Sequence, residues 1–198
     1  TKAMSPQYAI DWWKERNFEP PERNPVEFMF KKVAWRYAKG HLDSGSGHIY
    51  LGDCQSILNL WEKHPPRMKA NLLLTSPPYY GVTDYFYDQW LRLWLLGGPE
   101  RPHSNRALCK RKFSNKKHYT SMLFNVFAKS KSLLKQDAVV FVRTDARQFT
   151  REATIKTLET AFPNKKIRSE YFSLPSFSQT ALFDADLESK GEIDFVMW

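Results

Sequence analysis

The apolar run Ala70-Asn71-Leu72-Leu73-Leu74 ends directly in Thr75-Ser76-Pro77-Pro78-Tyr79-Tyr80, and this junction constrains the fold more than any other stretch. A short apolar run of this kind reads as a buried strand. Two successive prolines fix their own φ angles and push the preceding residue out of the helical region, so the backbone carbonyls of the turn are held in one direction. A rigid polar-aromatic turn at a strand end is where α/β enzymes place their chemistry. Hydroxyl and carbonyl acceptors followed by an aromatic ring suit a flat, nitrogen-bearing substrate, because they can grip an exocyclic amino group while Tyr79 stacks on its ring. Two plainer readings compete. Pro77-Pro78-Tyr79-Tyr80 also fits the Pro-Pro-x-Tyr ligand of small proline-binding domains, which requires an exposed polyproline II segment; the flanking Leu72-Leu73-Leu74 and Tyr85-Phe86-Tyr87 argue against exposure. The other is a proline-stiffened turn with no chemistry.

The rest of the chain alternates strand and helix signals. Ser5-Pro6 opens a helix through Arg16, and Asn24-Pro25 opens a second, with Glu27 placed to complete a capping box. Val26, Met29, Phe30, Val33, Ala34 and Tyr37 recur at helical spacing and predict one buried face ending near Gly40. Ser44-Gly45-Ser46-Gly47 reads as a flexible joint. We therefore divide the chain into a helical segment with linker, 1–47, and an α/β domain, 48–198. In the latter, His48–Leu51 reads as a strand, Gly52-Asp53 as a turn and Ser56–Trp61 as a helix start. Asp84–Leu96 reads as an aromatic-rich helix closed by Gly97-Gly98-Pro99, and 101–118 as a polar, basic surface loop. Thr120–Leu134 and Thr150–Phe162 are helical. Ala138–Val142, Ile167–Phe172 and Ile193–Trp198 are strands, the first a continuous apolar run of the kind found in parallel sheets. The pattern predicts a mostly parallel sheet with helices on both faces.

A chain of 198 residues with 42% apolar and 15% aromatic content is globular. Its net charge of +9 points to a polyanionic partner, most simply nucleic acid. Cys54 and Cys109 provide neither a disulfide framework nor metal-ligand spacing, which suits a reducing compartment. No signal peptide is visible, and the most apolar helical stretch, Trp90–Leu96, is short and interrupted by Arg92, so neither a leader nor a membrane span is expected.

Ser76-Pro77-Pro78-Tyr79 resembles motif IV, the Ser/Asp/Asn-Pro-Pro-Tyr signature of the DNA amino-methyltransferases. The resemblance covers roughly residues 48–198. It implies a Rossmann-like core that uses S-adenosylmethionine to methylate the exocyclic nitrogen of a flipped base; a serine in the first position resembles the cytosine-N4 branch more than the adenine-N6 branch. It also implies that Ser76, Pro77, Pro78 and Tyr79 are catalytic, that Tyr80 adjoins the DNA, and that double-stranded DNA is the partner, in a cytoplasmic, nucleoid-associated setting of the restriction-modification kind. The final strands resemble the antiparallel edge of that core. Gly52-Asp53 resembles the pair that binds the cofactor's adenine amino group, with Cys54 beside it. The alternative for Asp53 is a helix N-cap. In the basic stretch, Arg106, Lys110, Arg111, Lys112, Lys116 and Lys117 are candidate phosphate contacts; the alternative is solvated surface.

The glycine-rich motif I that holds the methionine part of the cofactor has no match. Asp43-Ser44-Gly45-Ser46-Gly47 has suitable letters but no room for the crossover helix that must follow. Motif I is then expected in a second polypeptide of a split enzyme, in a part of the polypeptide outside this sequence, or has been lost. The last case gives the competing expectation, a non-catalytic DNA-binding module. No Pro-Cys dipeptide or metal-ligand set is present in the sequence, which leaves direct transfer to nitrogen as the expected route.

Overall fold

Asn24 and Asp53 begin two helices by the same device. The computed structural model describes residues 6–19, 21–40, 45, 47–81, 90–99, 113, 115–173 and 191–198. In it, Asn24 Oδ1 accepts from the backbone N–H groups of Val26 and Glu27 at 3.0 and 3.3 Å, and Pro25 occupies the first helical position. Asp53 Oδ1 accepts from Gln55 and Ser56 at 2.9 and 3.3 Å. Each cap satisfies N–H groups that the helix itself cannot pair.

Two compact units divide at Leu51/Gly52. The first holds α1 (Pro6–Glu15) and α2 (Pro25–Tyr37). Phe18 packs edge-on against Trp12 and Trp13, and the Arg16 guanidinium lies 4.3 Å from the Trp12 ring centre. The face of α2 predicted to be buried is not. Met29 and Phe30 are 65% and 70% exposed, and no residue of the helix is buried. The spacing correctly signals an amphipathic helix, but periodicity says nothing about whether a partner surface exists. His48–Leu51 forms no strand either; its apolar residues lack the neighbouring strand whose ladder would define one.

The second unit contains α3 (Cys54–Lys63), β1 (Ala70–Thr75), α4 (Trp90–Leu95), α5 (Lys116–Lys131), β2 (Leu134–Asp145), α6 (Gln148–Ala161), β3 (Ile167–Ser173) and β4 (Gly191–Met197). The strands form one sheet in the order β1-β2-β4-β3. β1 runs parallel to β2, whereas β4 is antiparallel to both β2 and β3. The α/β architecture and the antiparallel closing pair follow the sequence pattern, but the described sheet is mixed, because β4 runs against both of its neighbours.

Register fixes which residues share a face. Val140 lies opposite Met197 and Val142 opposite Phe195, and all four are at most 1% exposed. They pack beneath Tyr119, Leu123 and Phe127 of α5 and Ala153, Leu158 and Ala161 of α6. The opposite face, with Leu72 beside Val139 and Leu74 beside Phe141, is open on β1, where Leu72 and Leu74 are exposed, and half-buried on β2. Lys116–His118, expected in the basic loop, instead form the first turn of α5, with Asn115 Oδ1 accepting from the His118 N–H at 3.0 Å. No helix among the described residues is long and apolar enough to cross a membrane.

Candidate active site at the carboxyl end of the sheet

Parallel pairing of β1 with β2 and antiparallel pairing of β4 bring three strand ends to one edge. Thr75 lies beside Val142, Asp145 opposite Glu192, and Glu192 opposite Phe172. The Ser76–Tyr80 turn leaves β1 at this edge, so residues more than a hundred positions apart meet around it.

Tyr79 is tied to the far strand. Its hydroxyl donates to Glu192 Oε1 at 2.7 Å. Burial first, and the Glu192 acceptor second, push the Tyr79 hydroxyl well above the ordinary phenol range, so it remains protonated and serves as a donor rather than a base. Behind Glu192 stands Arg143, 3.6 Å away. Arg143 also makes a two-pronged bond to Asp194, its cross-strand neighbour, with Nε–Oδ1 and Nη2–Oδ2 both at 2.7 Å. The paired fork geometry fixes the guanidinium plane, and the Phe172 ring lies 5.4 Å from its centre.

A second anchor holds the other end of the turn. Arg147 Nη2 donates to the Tyr80 carbonyl at 2.5 Å while Arg147 Nε and Nη2 donate to the Asp145 carboxylate at 2.9 and 3.0 Å. Tyr80 is half-buried against Phe149 and Tyr119, with ring centres 4.5 and 5.5 Å away. This packing makes the Tyr80 ring an anchor of the turn. Gly81 closes the turn at φ +69°, a conformation that favours glycine, and its N–H donates to the Phe113 carbonyl.

The predicted site residues therefore separate into groups. Ser76, Pro77, Pro78 and Tyr79 are together at the strand end, Ser76 exposed and the others half-buried. Lys116 is also close, its ammonium 5.0 Å from the Phe149 ring centre, and Lys117 is exposed beside it on the first turn of α5. Asp53 is engaged as the cap of α3, the reading that competed with cofactor binding, and Cys54 is the exposed first residue of that helix. Arg106, Lys110, Arg111, Lys112 and Cys109 lie outside the described residues. Sequence reading missed Arg143, Asp145, Arg147, Glu192 and Asp194. The available signal was weak: charged residues at the ends of apolar runs, Arg143 to Asp145 after Val142 and Glu192 to Asp194 before Phe195, where a two-residue period allows one side chain to face the core and the next the site.

No known protein family matches the chain, and no curated protein does. Among solved structures, a candidate SAM-dependent methyltransferase from Streptococcus mutans is 16% identical with a TM-score of 0.43, over 81% of this chain and 33% of that one. A candidate methyltransferase complexed with SAH is 15% identical with a TM-score of 0.43, over 82% and 34%. The chain thus spans about a third of the length of these structures.

Proposed function

We propose that this chain carries the target-base half of a DNA amino-methyltransferase, acting on cytosine N4 in preference to adenine N6. The observation that carries the reading is the Ser76–Tyr79 turn, which leaves the carboxyl end of β1 and is anchored from two sides by Glu192 and Arg147. The exocyclic amino group of a flipped base donates to the Ser76 hydroxyl oxygen and the Pro77 carbonyl, and Tyr79 lies against the ring. Holding the nitrogen in this way turns its lone pair toward an incoming methyl group, and positioning supplies much of the rate. The methylated nitrogen releases its proton to water after transfer, so a strong base is not required, and the protonated Tyr79 hydroxyl is not called on to accept it.

S-adenosylmethionine supplies the methyl group in this reading. Asp53 and Cys54 are the residues here assigned to its adenine end. The described glycines form no cradle for its methionine end: a Cβ at Gly52, beside Asp53, would meet only the Ile57 side chain, at 3.5 Å. That part of the site is assigned to another segment or to a second polypeptide. The same observation supports the competing reading, a DNA-binding module without catalysis. Double-stranded DNA is the partner. Lys116 and Lys117 on the capped first turn of α5, together with Arg106, Lys110, Arg111 and Lys112, supply phosphate contacts.

Calorimetry with S-adenosylmethionine tests the proposal, on this chain alone and with any co-purifying polypeptide, together with transfer of labelled methyl to duplex DNA. Binding in either preparation and label on cytosine N4 are expected. Absence of both in both preparations selects the DNA-binding module.

A further inference from the structure

We infer that one side of α2, formed by Phe28, Lys32, Trp35 and Lys39, is a binding face for single-stranded nucleic acid. It belongs to the first unit and stands apart from the base-binding role proposed for the Ser76–Tyr79 turn. At about 100° per residue, steps of four, three and four positions keep these side chains within roughly 60° of one another around the axis. Ala38 retains right-handed helical angles at the C-cap, φ −59° and ψ −19°, so Lys39 continues the row. Lys32 Nζ lies 5.6 Å from the Phe28 ring centre and 5.9 Å from that of Trp35, and Lys39 Nζ lies 5.5 Å from that of Trp35. Both rings are exposed, Phe28 at 46% and Trp35 at 59%.

Aromatic rings and ammonium groups therefore alternate along an exposed line. A helix with one apolar face keeps its other side polar. The apolar stripe of α2, Val26, Phe30, Val33 and Tyr37, lies about half a turn away around the axis, so Phe28 and Trp35 are not part of it. This placement also separates the row from a lipid-inserting face, where the aromatics belong to the apolar stripe. Charge selects the partner. From Val26 to Gly40 the chain carries Lys31, Lys32, Arg36 and Lys39 against Glu27 alone, and Glu27 pairs with Lys31 at 2.8 Å. A basic surface interleaved with exposed rings suits a polyanion that also offers flat faces, which is an unpaired strand; in a duplex each base face is covered by its neighbours. Phe28 and Trp35 are two turns apart, about 10 Å along the axis, and Lys32 stands between them. At 5.5 to 5.9 Å from the ring centres, on flexible stems, the ammonium groups can move onto phosphates as bases take their place on the rings.

Fluorescence anisotropy of labelled oligo-dT, titrated with the full chain at several salt concentrations, tests the inference, with a duplex of equal length alongside. Trp35→Ala should weaken oligo-dT binding by about tenfold and Phe28→Ala by somewhat less, both without a change in salt slope, since each removes stacking and no charge. Neither should alter duplex affinity by more than about twofold, because phosphate contacts carry it. Trp35→Phe retains a ring and should retain most of the affinity. Lys32→Ala with Lys39→Ala should flatten the log-affinity against log-salt slope for oligo-dT by up to about 1.4 units, roughly 0.7 for each phosphate contact. Phe30→Ala, on the apolar stripe, should leave oligo-dT binding as it is. Absence of wild-type binding at low salt, an unchanged affinity in the folded Phe28→Ala/Trp35→Ala variant, or an equal loss in Phe30→Ala overturns the inference and leaves the ring–ammonium contacts as supports of the helix. Binding to anionic phospholipid vesicles that requires these rings, while oligo-dT binding does not, overturns it as well. If the alanine variants of the rings do not fold, the lysine pair decides by its slope. Tyr79→Ala should not change the Trp35 effect, so this face and the proposed target-base turn can fail separately.

Discussion

The two faces of the sheet carry similar residues and meet different fates. Val140, Val142, Phe195 and Met197 are sealed under α5 and α6, whereas Leu74, on the opposite face of the neighbouring strand, is 67% exposed. An apolar strand therefore marks surface that gains from burial, but the gain is realised only where a second layer lies within packing distance. The sealed face holds the unit together, and the Ser76–Tyr80 turn is fixed by polar bonds at the sheet's end.

The largest expected effect breaks the comparison directly. Phe195→Ala should cost about 3–5 kcal/mol in urea denaturation, through lost burial and the cavity left behind. Leu74→Ala should cost under about 1 kcal/mol, since an exposed side chain has little transfer energy to lose. Equal losses would mean that both faces are covered in solution.

Next is the turn. Tyr79→Ala should weaken engagement of the target base by about 1–3 kcal/mol and lower methyl-transfer turnover, while stability falls little. Unchanged methylation by the folded variant would detach this turn from the base. Asp53→Ala should destabilise the unit by about 1 kcal/mol through loss of the α3 cap. A fall in S-adenosylmethionine affinity beyond that of an equally destabilised control would give Asp53 the cofactor role as well.

The hydroxyls of Tyr79 and Tyr119 are both raised, chiefly by burial. For an acid whose neutral form the fold favours, the stabilisation is fully present below the unfolded phenol value of about 10 and declines as pH rises above it. Tyr79→Phe should reduce the slope of stability against pH on that alkaline limb; an unaltered slope would show that Tyr79 ionises in the folded protein as it does in the unfolded chain. The mildest effect belongs to the rim. Neutralising Lys116 and Lys117 should flatten the log-affinity against log-salt slope for DNA by up to about 2 units, equally for all sequences. An unaltered slope would make them solvated surface.

Local chemistry was legible from residue types alone. Asn24 and Asp53 cap helices because a short side-chain oxygen two or three positions before unpaired N–H groups needs no tertiary help. The apolar runs at Leu72 and Val140 were legible as strand candidates and became strands by pairing with each other, and the prolines at 77 and 78 follow the end of the first. The missed features all depend on distance in sequence. Tyr79 and Glu192 are 113 positions apart, and Arg143 and Asp194 meet only because β4 inserts between β2 and β3. No period or propensity encodes that register. It follows from which strand edges find partners, and the same selection left the apolar stripe of α2 exposed and His48–Leu51 without a ladder. The sequence by itself determined the turn and the elements around it. The tertiary structure decided which charges surround that turn, because only long-range strand pairing brings a carboxylate from β4 to the hydroxyl of Tyr79.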